Sequence, residues 1–114
     1  MRVTLDKADC LCEPKREHWA ELDESPLTWG QRNRARAAIR QDFYGEFAPA
    51  LVTMVTTAWS EQGQPDSEDA WVPVDAAFGD KVFGKALRLW EAKRDEADVN
   101  PTAEQSENLS PPEA

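Results

Sequence analysis

The stretch Phe47-Ala48-Pro49-Ala50-Leu51-Val52-Thr53-Met54-Val55-Thr56-Thr57-Ala58-Trp59-Ser60 decides how the chain is read. Placed 100° apart, Phe47, Leu51, Val52, Met54, Val55, Ala58 and Trp59 fill one arc, while Thr53, Thr56 and Thr57 fill the other. Pro49 suits a first helical turn, where its missing N–H leaves no bond unmade. The pattern predicts a helix over 48–60 with one buried face. On its C-terminal side, Glu61 to Pro73 holds acidic residues but no basic one, which reads as a loop with Trp71 as its large anchor.

A further helix is predicted over 74–95. Phe78, Val82, Phe83, Ala86, Leu87, Leu89 and Trp90 share one side, opposite Asp80, Lys81, Gly84, Lys85, Arg88 and Glu91. Gly79 and Gly84 each cost about 1 kcal/mol relative to Ala within a helix, so a break near Gly79 is an alternative. On the N-terminal side, Thr28-Trp29-Gly30-Gln31 matches a capping box and predicts a helix over 28–43. Trp29, Ile39 and Phe43 share its side with Arg32, Arg36 and Arg40. Either the arginine stems lie over the edge of the core, or this face meets something acidic.

Residues 1–13 suit a β-hairpin of Arg2–Leu5 and Asp9–Glu13, with Pro14 ending the pairing. Residues 14–27 are mixed, anchored as a loop or short helical turn by Trp19 and Leu22. The fold class expected is a mainly α small domain of about three helices with a short N-terminal hairpin, spanning 1–97.

The chain has 114 residues, 40% of them hydrophobic and 31% charged, with a formal charge of −9. That length suits one domain. The charge argues against a general nucleic-acid or anionic-membrane binder, both of which want a basic face. Its distribution is uneven: residues 31–60 carry +2, and residues 91–114 carry −5. From Asp98 onward there are three prolines and no aromatic residue. Such a stretch buries too little apolar surface to offset its ordering entropy, so 98–114 is expected to be a disordered acidic tail. No apolar run reaches the roughly 18–20 residues needed to span a bilayer, and the chain reads as cytosolic.

Cys10, Cys12 and His18 are the conventional soft-metal ligands of the chain. A structural zinc site wants four ligands, commonly two C-x2–4-C or H-x3–5-H pairs, and no second pair follows. The expectation is therefore no metal and no cofactor: two reduced, strand-packed thiols rather than a mutual disulfide, and a surface histidine. Catalytic motifs such as G-x-S-x-G, a phosphate-cradling glycine loop or H-E-x-x-H are absent, which points away from an enzyme. Arg32, Arg34, Arg36 and Arg40 read first as a solvated face or as partners of the acidic loop. Arg32, Arg36, Arg40, Trp59, Trp71, Phe83 and Trp90 are the candidate partner-binding residues, since Trp and Arg are enriched at interface hot spots.

Pro26, Thr28 and Arg32 approximate a Pro-x-Thr-x-x-x-Arg helix start. Val3-Thr4-Leu5 stands before it. After it come the apolar helix from Leu51 closing in Trp59-Ser60, an acidic loop, a proline-containing lead-in to the last helix and a Ser/Pro/Glu-rich tail. In this layout, over roughly residues 2–110, the sequence resembles the small tail assembly chaperones of long-tailed bacteriophages, particularly those of actinobacterial hosts. It departs from them in the long 14–27 segment and in Cys10, Cys12 and Trp19. The resemblance implies a host-cytoplasmic protein, not kept in the mature virion, that holds the tape measure protein soluble while the tail tube polymerises. It also implies a longer frameshifted form as a further partner, and docking in a groove between the second and third helices. The alternative is another phage-encoded acidic interaction module, either a head-tail connector component or an inhibitor that mimics nucleic acid.

Overall fold

The computed structural model describes residues 1–99. Strand β1 (Arg2–Leu5) pairs with β2 (His18–Leu22), and β2 pairs with β3 (Thr56–Trp59), so that β2 is the centre of a three-stranded antiparallel sheet. Among the described residues four α-helices complete the fold: α1 (Trp29–Gln41), α2 (Ala48–Val55), the single turn α3 (Glu68–Trp71) and α4 (Ala76–Val99). The protein is mainly α with a small antiparallel sheet, and α4 lies against α2 and the sheet.

Sheet pairing follows from alternation. Val3 and Leu5 of β1, and His18, Ala20 and Leu22 of β2, point to the same face and are all buried. The register sets Val3 opposite Ala20 and Leu5 opposite His18. On the outer face, the Arg2 guanidinium lies 4.3 Å from the Trp19 ring centroid and bonds the Glu21 carboxylate at 3.1 Å. The expected hairpin over 1–13 is corrected here. The partner of β1 is His18–Leu22, and the expected strand Asp9–Glu13 is absent, Asp9 ending a 3-10 turn over Lys7–Asp9. The alternation of His18-Trp19-Ala20-Glu21-Leu22 was hard to see because His and Ala are weak apolar markers.

The second correction concerns 48–60. The helix stops at Val55, and Thr56–Trp59 becomes β3. Thr56 and Thr57 are β-branched and fit a pleated strand better than a helical turn, while β2 offers an open edge. Ala20 pairs with Trp59, Glu21 with Ala58, and, across a bulge, Leu22 with Thr56. The bulge turns both Thr56 and Trp59 inward. The Thr56 hydroxyl is buried with no hydrogen-bond partner among the described residues. Thr56→Val keeps the shape and removes the unpaired group. It is therefore expected to stabilise the fold by about 1 kcal/mol, read as a higher urea midpoint with an unchanged slope.

Helix α1 begins as its capping box requires: the Gln31 amide donates to Thr28 Oγ1 at 3.2 Å, and the Thr28 amide donates to Gln31 Oε1 at 2.9 Å. Only Ala35 on this helix is buried, and Trp29 stands 81% exposed. The helix ends at Gln41, two residues before the expected boundary. There Asp42 caps a π-helical turn over Phe43–Phe47, its carboxylate accepting from the Tyr44 amide at 3.2 Å. This turn drops Phe47 into the core.

Core packing is then set by two helices. Ala50, Leu51, Val52 and Val55 of α2 meet Phe78, Val82, Ala86 and Trp90 of α4, a stripe at strict four-residue spacing. The Gly79 amide bonds the Asp75 carbonyl at 2.9 Å and α4 is continuous, so the chain does not break there. It runs past the expected end at 95, and beyond Val99 the expected tail lies outside the described residues. The acidic 61–73 segment is a loop containing α3. Gly63 turns it with φ +82°, and a Cβ there would sit 3.0 Å from the Ala70 side chain, so both the backbone angle and the close approach favour glycine. Trp71 anchors the loop as expected, its ring 4.6 Å from that of Trp59 and its Nε1 donating to the Pro65 carbonyl at 2.8 Å.

Candidate functional site

Three separated segments converge below one end of the sheet. After the 3-10 turn the chain is extended, and residues two apart in extended backbone share a face. Cys10 and Cys12 therefore both turn inward while Leu11 between them is 70% exposed. The structure places their sulfurs in disulfide contact, correcting the expectation of two separate thiols. His18 begins β2 on the buried face and is fully buried, not a surface residue, with its ring stacked on Phe78 at a centroid distance of 5.1 Å. Its Nε2 lies 3.1 Å from Cys10 Sγ and 3.3 Å from Cys12 Sγ.

The third segment is the N-cap of α4. Asp75 accepts the Phe78 amide at Oδ2 (3.1 Å), the usual capping bond. Its Oδ1 accepts the Leu11 amide at 2.7 Å and stands 3.8 Å from Cys10 Sγ. One carboxylate thus starts a helix and holds the cysteine segment against it. The Lys15 ammonium bonds the Cys10 carbonyl and ties the same segment from the other side. Ligand atoms of Cys10, Cys12, His18 and Asp75 all lie within 4.8 Å of one another.

Behind the histidine stands Glu61, two residues past the end of β3, with a side chain 7% exposed. Its Oε2 faces His18 Nδ1 at 2.9 Å and accepts from Ser60 Oγ at 2.6 Å. Its Oε1 accepts from Arg16 at 2.6 Å. Burial pushes this carboxyl up, but the hydrogen bonds from Arg16, Ser60 and His18 together hold it below the ordinary carboxylate range. The same Glu61 bond raises the Arg16 guanidinium. In the tautomer that donates Nδ1–H to Glu61, the Nε2 lone pair faces the sulfurs. The cluster is thus a convergent S, S, N, O donor set with an oriented histidine.

The residues singled out for partner binding do not form one surface. Trp59 and Trp90 are 8% and 5% exposed and belong to the core. Trp71 is half-buried against Trp59. Arg32 is half-buried, and Arg36 and Arg40 are exposed along α1. Arg34, and not these three, reaches the acidic loop, bonding Glu68 at 2.9 Å. Phe83 is half-buried beside Phe43 (5.6 Å) and Tyr44 (6.3 Å), with the Tyr44 ring 76% exposed. Sequence reasoning passed over Phe43 and Tyr44 as a surface pair, and Asp75 and Glu61 as members of the cluster. Of these only Asp75 carried a local signal, as an N-cap residue ahead of the α4 stripe.

No family model matches the chain, and neither do the curated proteins nor the solved structures with which it was compared.

Proposed function

We propose that this chain is a non-enzymatic binding protein of the phage tail assembly chaperone kind, which holds the tape measure protein soluble in the host cytoplasm during tail morphogenesis. The observation that carries this reading is the aromatic ledge between the π-helical turn and α4, in which the exposed Tyr44 stands beside half-buried Phe43 and Phe83. Such a ledge offers amphipathic contact area to an apolar helical face, the recognition mode expected of a long, aggregation-prone helical partner. Arg40 is exposed in the last turn of α1, four residues before Tyr44 in sequence. The groove expected between the second and third predicted helices is replaced by this position, because Phe78, Val82, Ala86 and Trp90 fill the space between α2 and α4.

The test is co-expression with fragments of a tape measure protein. The intact chain is expected to raise the soluble yield several-fold over an unrelated acidic control, and the double variant Tyr44→Ser/Phe83→Ser to lose most of that gain. Equal yields with the control would end the chaperone reading, and an unchanged gain with the double variant would move the docking surface elsewhere.

A further inference from the structure

We propose that Cys10, Cys12, His18 and Asp75 form a structural zinc site, with Glu61 positioning the histidine. The donor set is the kind that zinc accepts: two thiolates, an imidazole nitrogen and a carboxylate oxygen. Zinc bonds of about 2.0–2.3 Å in a tetrahedron put ligand atoms roughly 3.3–3.8 Å apart. The observed 3.1 Å and 3.3 Å from Nε2 to the sulfurs and 3.8 Å from Cys10 Sγ to Asp75 Oδ1 are close to those edges, whereas the Cys10 and Cys12 sulfurs, in disulfide contact, must part on reduction to reach one. The four ligand atoms come from the 10–12 segment, the start of β2 and the start of α4. An ion there would tie the 10–12 segment and the central strand to the longest helix.

The surroundings are those of a metal centre rather than of a disulfide alone. A disulfide recruits neither an imidazole lone pair nor a carboxylate. Here both face the sulfurs, and Nε2 is directed at them by the Nδ1 bond to the buried Glu61, the carboxylate–histidine arrangement that fixes metal-bound histidines. The Cys12 amide also donates to Cys10 Sγ at 3.2 Å, a bond that supports negative charge on sulfur. Two thiolates and Asp75 around Zn2+ leave one net negative charge, which Lys15 beside Cys10 offsets, Arg16 being paired with Glu61.

Loading requires both sulfurs as thiolates. A dithiol reductant supplies two electrons and two protons to the Cys10–Cys12 disulfide and is itself oxidised to a disulfide. Zinc then displaces the two thiol protons. Closing such a site joins parts of the chain that are far apart in sequence, so the ion contributes directly to folding.

The experiment uses the full chain, reduced with a phosphine, freed of metal and titrated with Zn2+, and separately with Co2+ as a spectroscopic probe. One equivalent is expected to bind, to raise the melting temperature, and for Co2+ to give thiolate charge-transfer and tetrahedral d–d bands. Cys12→Ser, at a half-buried position, is expected to weaken zinc by more than about a hundredfold, and Glu61→Gln, outside the ligand set, by about 10–100-fold. Far-UV circular dichroism of each variant reports whether it is folded. A folded, reduced protein that binds no zinc, or Cys12→Ser binding it unchanged, would overturn the proposal. So would a cobalt spectrum without sulfur charge transfer.

Discussion

Replacing Phe47 by alanine is expected to cost about 3–5 kcal/mol, the range for removing a fully buried aromatic ring. The ring is 0% exposed and sits where three parts of the chain meet. Its centroid lies 5.3 Å from Phe43 in its own turn, and 6.1 Å and 5.8 Å from Phe83 and Trp90 on α4. Phe47 stands between a π-helical turn capped by Asp42 and the proline-bearing start of α2. For a domain of this size total stability is only about 5–15 kcal/mol. Since 1 kcal/mol shifts the melting temperature of a 60–100-residue domain by roughly 4–8 °C, a fall of at least about 12 °C is expected. Phe47→Leu, which keeps most of the volume, is expected to cost much less. A fall under about 4 °C for the alanine variant would show that the core does not turn on this ring.

Glu61→Ala has the second large effect expected, and it acts through hydrogen bonding instead of packing. The carboxylate accepts from His18, Ser60 and Arg16 at once. Its removal leaves a fully buried imidazole Nδ1 without its acceptor and frees the Arg16 side chain. Stranding a buried donor costs about 1–3 kcal/mol, and removing one member of a buried charged pair about 3–5 kcal/mol. Arg16 is half exposed and regains water, which places the expectation nearer 2–4 kcal/mol. Glu61→Gln keeps one carbonyl oxygen and the side-chain shape, so it is expected to retain at least half of that stability. Urea unfolding of the metal-free protein separates the two variants. Equal losses for Ala and Gln would mean that charge, and not the hydrogen bond to His18, is what the site needs.

The elements that could be read in advance are those whose causes lie within a few residues. The α1 start was legible because Thr28 and Gln31 satisfy each other's amides three residues apart. The α4 stripe was legible because Phe78, Val82, Ala86 and Trp90 recur at one helical period. Trp71 as loop anchor and the inward arc of Leu51, Val52 and Val55 were visible for the same reason. The aromatic ledge was half visible: Phe83 stood out, but its neighbours Phe43 and Tyr44 depend on a π-helical turn that no periodicity announces.

What needed the tertiary structure was everything that depends on a distant partner. Thr56 to Trp59 continues a helical arc by pattern, and becomes a strand because the open edge of β2 supplies ladder bonds that a helix end does not. Cys10, Cys12, His18, Glu61 and Asp75 show no common spacing, and His18 lies 43 residues from Glu61 in sequence. They meet because the Leu5–His18 pairing turns the imidazole inward, β3 delivers Glu61 behind it, and α4 begins where the cysteine segment crosses. Sequence by itself determined the start of α1 and the buried stripes of α2 and α4, whose hydrogen bonds and apolar faces close over four residues. The sheet order and the donor cluster were decided only by packing, since strand edges and ligand sets are completed by chain segments that no local period connects.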